Sequence, residues 1–179
     1  MTDDMIYKGK VWKFGDRIST DLMMPGAQVL AGGGMGKEPH LWCFNANRPG
    51  WTDEVQDGDI LIAGVNFGCG SSRNGAQAIQ KNGVAAIIAE STSRIFFRNA
   101  VNSGLPTLWC KGVLDAFDEG DIAEVNMNTG EVKNLTKGTS LTGEAWTEDS
   151  PPMQILRAGG FYPYVRQMIK ERGLPEPVS

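Results

Sequence analysis

Histidine is nearly absent: His40 is the one imidazole in 179 residues. A Ser–His–Asp relay and a histidine-rich metal site therefore both lose their usual material. Cysteine is scarce too, since Cys43, Cys69 and Cys110 are odd in number, far apart and without a C-x-x-C pair. That pattern fits unpaired thiols in a reducing compartment, and it offers too few ligands for a zinc or iron–sulfur site built from this chain alone. Positive charge is not in excess, with 17 Lys and Arg against 21 Asp and Glu, dispersed along the chain. A nucleic-acid partner is therefore not expected. No apolar run approaches the roughly 20 residues that span a bilayer, and "MTDDMIYKGK" lacks the charged-then-apolar pattern of a signal peptide. The expectation is a cytoplasmic protein with no membrane partner.

What is present is enough apolar material, 41% of residues, to bury the core of one domain. "KVWKF" (10–14) alternates as a strand. The stretches "DILIAGV" (59–65), "VAAIIAES" (84–91) and "PTLWC" (106–110) read as further strands. Between them "NGAQAIQKNG" (74–83) and "TSRIFFRNAVNSG" (92–104) read as helices, with Gly83 and Gly104 at their C-terminal ends and Ser91 or Thr92 as an N-cap. Strand, helix and strand in succession predict parallel pairing and an α/β core. After Lys111 come two short strands around "MNTG", a possible third in "GTSLTGEAW", and two helices, one opened by Ser150 and one ended by Gly173. Trp12, Phe96, Phe97, Met153 and Met168 are expected in the core or at a partner interface. Residues 26–50, rich in glycine, read as a loop or a pair of short helical pieces, and residues 174–179 as a loose tail of a single domain.

The informative stretch is "NFGCGSSRNGAQAI" (66–79), lying between a strand and a helix. Backbone N–H groups converge at such a place, and the helix dipole favours an anion. Gly68 and Gly70 allow unusual backbone angles and close approach, Ser71 and Ser72 add hydroxyls, and Arg73 adds a planar fork suited to a carboxylate. The stretch is not a P-loop, since no lysine precedes the hydroxyl, nor a G-x-G-x-x-G fingerprint, nor a G-x-S-x-G elbow. Helix capping by Ser71 or Ser72 with a solvated Arg73 is the simple structural explanation; the combination favours a carboxylate site. A serine without histidine acts as a base only where neighbouring N–H groups and cations stabilise its alkoxide.

Four blocks, "GDRISTDLMMPG", "DILIAGVNFGCGSSR", "AIIAESTSRIFFRNAVNSGLP" and "ILRAGGFYPYVR", occur in an order and spacing in which the chain resembles the aconitase superfamily's small subunits of the isopropylmalate isomerase type. The resemblance implies a swivelling β/β/α three-layer domain with a mixed sheet. It also implies a hydro-lyase or isomerase acting on a hydroxylated dicarboxylate, inactive without a large subunit that carries a 4Fe–4S cluster, in a heterodimer or heterotetramer. No cofactor is then held by this chain. By position in the motif, Ser71 is the base, Ser72, Arg73 and Gly70 bind a substrate carboxylate, and Asp21 lies near the site. The amides from Gly68 to Ser71 and Arg73 are placed to stabilise charge that builds on the carboxylate. Arg94 and Arg98 match recurring basic positions that packing and capping explain at least as well.

Two departures stand out. Asn74 and Gly75 follow the motif where relatives carry Glu-His or Glu-Gln. The loop "GAQVLAGG" also lacks the arginine that would pair with a third carboxylate, so Val29 and Leu30 suit a small alkyl group. The leading expectation is 3-isopropylmalate in leucine biosynthesis. Dimethylmalate, citramalate or methylmalate, homoaconitase chemistry, and a noncatalytic carboxylate-binding module remain alternatives.

Overall fold

The computed structural model describes residues 5–24, 26, 38–70 and 73–173. The strands β1 (Ile6–Phe14), β2 (Ile60–Ala63), β3 (Ala86–Ala89), β4 (Thr107–Trp109), β5 (Ile122–Asn126), β6 (Glu131–Asn134) and β7 (Thr139–Thr142) form one sheet, ordered β4-β3-β2-β1-β5-β6-β7. The expected α/β class with a mixed sheet is thus the fold of this chain. β1 is longer than its alternating core suggests because it serves two neighbours. Ile6 to Lys10 pair antiparallel with β5, and Val11 to Phe14 pair parallel with β2.

Burial explains the strand sequences. "ILIA" in β2 and "AIIA" in β3 are buried at every position, as continuous apolar runs of a covered parallel sheet should be, whereas β5 alternates in the manner of an antiparallel strand with one covered face. Each face carries its own core. On one, Trp12, Phe14, Leu61 and Ile87 meet Phe44, Trp51 and Phe96; on the other, Val11, Ile60, Ile62 and Ile88 meet Phe117, Val125 and Met153. Trp12 keeps its indole N–H satisfied by donating to Asp59 Oδ2 at 2.6 Å, so a buried aromatic brings no unpaired donor with it. Met168 is only half-buried, on a helix with no fully buried residue.

Among the described residues the α-helices are α1 (Thr20–Met23), α2 (Trp51–Glu54), α3 (Gly75–Lys81), α4 (Arg94–Ser103), α5 (Val113–Ala116), α6 (Pro151–Arg157) and α7 (Phe161–Glu171). α3 and α4 are the crossovers that return β2 to β3 and β3 to β4. Two capping expectations change. Ser93, not Ser91 or Thr92, caps α4, its hydroxyl accepting from Phe96 N at 3.2 Å, while Gly104 ends that helix in the left-handed conformation as expected. Asn74, not Ser71 or Ser72, caps α3 by accepting from Gln77 N at 3.3 Å.

In the region 26–50, residues 39–42 form a 3-10 turn, and Cys43 and Phe44 are wholly buried. Phe44 packs 4.2 Å from the Phe14 ring and 4.9 Å from Trp51. Arg48 lies over Trp12 and Phe14 and pairs with Glu119, which locks this segment to the sheet. Val29 and Leu30 lie outside the described residues.

Candidate functional site

The parallel strands β1, β2 and β3 point their C-terminal ends at one edge, and there the chain from Gly64 to Gly70 is held from both sides. Toward the loop after β1, Val65 N donates to Asp16 Oδ1 (2.7 Å), Gly68 N to the Ile18 carbonyl (2.8 Å), and the Cys69 carbonyl accepts from Thr20 N (2.8 Å). Toward the loop after β3, Asn66 N donates to Ser91 Oγ (2.9 Å) and Phe67 N to the Ser91 carbonyl (3.0 Å). Ser93 closes that side by donating its hydroxyl to the Gly68 carbonyl at 2.6 Å. Ser91 and Ser93 therefore brace the turn, and the edge becomes a rigid platform of the kind on which open α/β sheets bind ligands.

Gly68 and Gly70 both have positive φ, +74° and +88°. Gly68 has a second reason to be glycine, because a Cβ there would overlap the ring of Phe96. Its amide is committed to Ile18, which corrects the expectation that the Gly68 N–H addresses a substrate carboxylate. Gly70 sits over Thr20, whose buried hydroxyl has no hydrogen-bond partner among the described residues and lies 2.9 Å from where a Gly70 Cβ would stand. Sequence reasoning passed over Thr20, although it stands in the same "STD" block as Asp21.

Asp21, in the first turn of α1, and Arg73, just before α3, are brought together. Arg73 Nη1 donates to Asp21 Oδ1 at 2.5 Å, with both side chains partly open to solvent. A guanidinium carries five N–H donors in a plane, so this pairing fixes its orientation and leaves other donors for a second anion. Gly26 lies against the same guanidinium, where a Cβ would collide with it. Ser71 and Ser72 lie outside the described residues. The Asn74-Gly75 departure has a structural role: Asn74 is the cap, and Gly75 is buried with Met23 Cβ 3.1 Å from the position of an added Cβ, so a Glu-His pair would not fit here unchanged.

The thiols do not suit a metal cluster. Among the described residues no three His, Cys, Asp or Glu side chains converge. Burial pushes the Cys43 thiol far above its ordinary range, and burial together with the Glu90 charge pushes Cys110 up to about 11, so neither is disposed to become the thiolate a cluster needs.

Known proteins resemble this chain in sequence and in fold. The family described as the aconitase C-terminal domain matches residues 43–112. An isopropylmalate/citramalate isomerase small subunit of Methanocaldococcus jannaschii is 42% identical over 167 residues, covering 93% of this chain and 97% of that protein. A 3-isopropylmalate dehydratase small subunit of Hydrogenobaculum sp. is 42% identical over 166 residues, covering 92% and 99%. The crystal structure of a 3-isopropylmalate dehydratase from M. jannaschii superposes with a TM-score of 0.82 at 34% identity, covering 94% of this chain and 99% of that one. With about 40% identity over nearly the whole length and a shared fold, the chain belongs to the 3-isopropylmalate dehydratase small-subunit family, within the aconitase C-terminal domain group.

Proposed function

We propose that this chain is the small subunit of an aconitase-type hydro-lyase that dehydrates and rehydrates an alkyl-substituted malate, with 3-isopropylmalate as its substrate. The observation that carries this reading is the Arg73–Asp21 pair at the C-terminal edge of the parallel strands, beside the glycine turn, in a chain that matches such small subunits nearly end to end. The residues share the work as follows. Arg73, oriented by Asp21, holds a substrate carboxylate; Ser72 and the Gly70 turn contribute further donors. Ser71 takes the C–H proton next to that carboxylate, and the charge that then builds on the carboxylate is met by donors already in place. Val29 and Leu30 are the residues we assign to the choice of a small alkyl group.

The 4Fe–4S cluster of this chemistry belongs to the large subunit, with which this chain assembles; the thiols here do not fit it. Citramalate is a second substrate to assay, because one relative is named an isopropylmalate/citramalate isomerase.

The test is reconstitution with the large subunit encoded by the same organism, under anaerobic conditions, with dehydration followed by ultraviolet absorbance. Ser71→Ala is expected to assemble normally and to lose about 10²-fold or more in kcat. Normal turnover by that variant would remove Ser71 as the base, and binding of alkylmalates without turnover by the assembled wild-type pair would leave a carboxylate-binding module.

A further inference from the structure

Away from the turn, α4 carries charges that its own stability does not explain. Arg94 opens the helix, where the dipole disfavours a cation, and Arg98 stands four residues on, so two like charges face one another on the same surface. Arg98 Nε donates to the Arg94 carbonyl at 3.4 Å, and among the described residues neither guanidinium pairs with a carboxylate, in contrast to Arg48, Arg73 and Arg157. Both are exposed. A local arrangement that costs the helix stability is expected where an outside group completes it.

The two arginines line a cavity of about 320 Å³ whose floor is Phe97 and Trp109. That floor is built rather than incidental. The Phe97 and Trp109 ring centroids are 5.2 Å apart, Trp146 stacks on Phe97 at 5.0 Å, and Trp109 is held in place by its N–H donating to Thr92 Oγ1 at 3.0 Å. Ile95, next in sequence to Arg94, is 40% exposed, and Val65, on the braced turn, is 48% exposed. Exposed arginines beside half-buried aromatic rings, with no lysine lining the cavity, have the composition of a protein–protein interface centre. Position strengthens this: Ser93, immediately before Arg94, bonds the Gly68 carbonyl, so the cavity adjoins the candidate catalytic edge.

We infer that Arg94, Arg98 and the Phe97–Trp109 floor form a docking clamp for an acidic segment of the large subunit, with a carboxylate side chain between the guanidinia and an apolar side chain on the aromatic floor. Charge complementarity and continuity with the site that the large subunit completes select this occupant. The inference rests on the two-subunit reading above.

Arg94→Glu separates the possibilities because it acts with opposite sign on the free chain and on the complex. In the free chain it places a negative charge at the helix start and a Glu-to-Arg pair at i, i+4, both favourable, so the melting temperature should hold or rise. In the complex it turns attraction into repulsion. The dissociation constant for the large subunit, read by biolayer interferometry, should rise about tenfold or more, with a shallower salt dependence, and Arg98→Gln should give a smaller rise in the same direction. At saturating large subunit, kcat and KM should match the wild type.

Unchanged affinity in Arg94→Glu overturns the clamp while leaving the two-subunit reading intact. Unchanged affinity with a raised KM also overturns it and makes the cavity a substrate subsite. Self-association of the wild type that Arg94→Glu abolishes makes a second copy the occupant, again against the proposal. If wild-type chain and large subunit do not associate at all, the two-subunit reading falls and the clamp with it.

Discussion

Arg73 reaches 52 positions back along the chain to set its Nη1 2.5 Å from Oδ1 of Asp21, so the starts of α1 and α3 share one ion pair at the edge of the parallel strands. An exposed pair of this kind contributes at most about 1 kcal/mol to stability. Its value lies in orientation, since a guanidinium held at one end presents its remaining donors in a defined plane.

Asp21→Asn in the assembled enzyme should therefore raise KM roughly tenfold, with a smaller effect on kcat, and leave the melting temperature of the free chain within a degree or two. Steady-state kinetics beside a thermal melt decides it. A fall in kcat with unchanged KM would show that Asp21 takes part in the chemical step instead of placing Arg73.

Gly68→Ala should be strongly destabilising, because the backbone is left-handed there and the new methyl overlaps Phe96. The combined cost is about 2 to 4 kcal/mol, or a fall in melting temperature on the order of 10 °C for a chain of this size. Gly15→Ala is the control: nothing lies within 4 Å of its added Cβ, and its melting temperature should stay near that of the wild type.

Asp121 gives an acid-sensitive contribution. The Asp118 N–H, then the Asn134 amide and Lys137, hold its carboxyl below the usual carboxylate range, against an opposing effect of burial. A depressed folded-state value means stability that is present above the unfolded-state value and lost as pH falls through the folded one. Asp121→Ala should cost about 2 kcal/mol at pH 7, since it strands the Asn134 and Asp118 donors, and the gap to wild type in urea melts should narrow below the ordinary carboxylate range. A gap independent of pH would mean that packing, not charge, is lost.

The three thiols should differ in labelling. At pH 8 Cys43 and Cys110 are buried and protonated, whereas Cys69 is partly exposed and touches the Arg17 carbonyl through its Sγ at 3.3 Å. Iodoacetamide on the native chain should modify Cys69 first, with the other two reacting only on unfolding. Mass spectrometry of peptides reads the order directly; prompt modification of Cys43 would contradict its burial.

Much of the fold was legible in the chain because its signals are local. The apolar runs "ILIA" and "AIIA" read as strands and are buried at every position, Gly104 ends a helix because its backbone is left-handed, and "MNTG" turns because Gly130 takes φ +76° and bonds back to the Asn126 carbonyl. The switch of partners along β1 was not legible, since five residues pair with a strand more than a hundred positions away and four with another. Nothing in "IYKGKVWKF" marks that boundary.

The candidate site divides along the same line. Residue types and their order by themselves raised the expectation of a carboxylate-binding turn between a strand and a helix, with Arg73 as its charge, because glycine freedom, hydroxyls and a planar cation are properties of the residues. Only the tertiary structure decided which groups are spent internally. The Gly68 amide goes to Ile18, Asp21 pairs with Arg73, Ser93 takes the cap that Ser91 and Thr92 were expected to supply, and Gly75 gives way to Met23. Hydrogen bonds and steric contacts between segments tens of residues apart depend on how the β1, β2 and β3 ends align, and that alignment follows from burying both faces of the sheet at once.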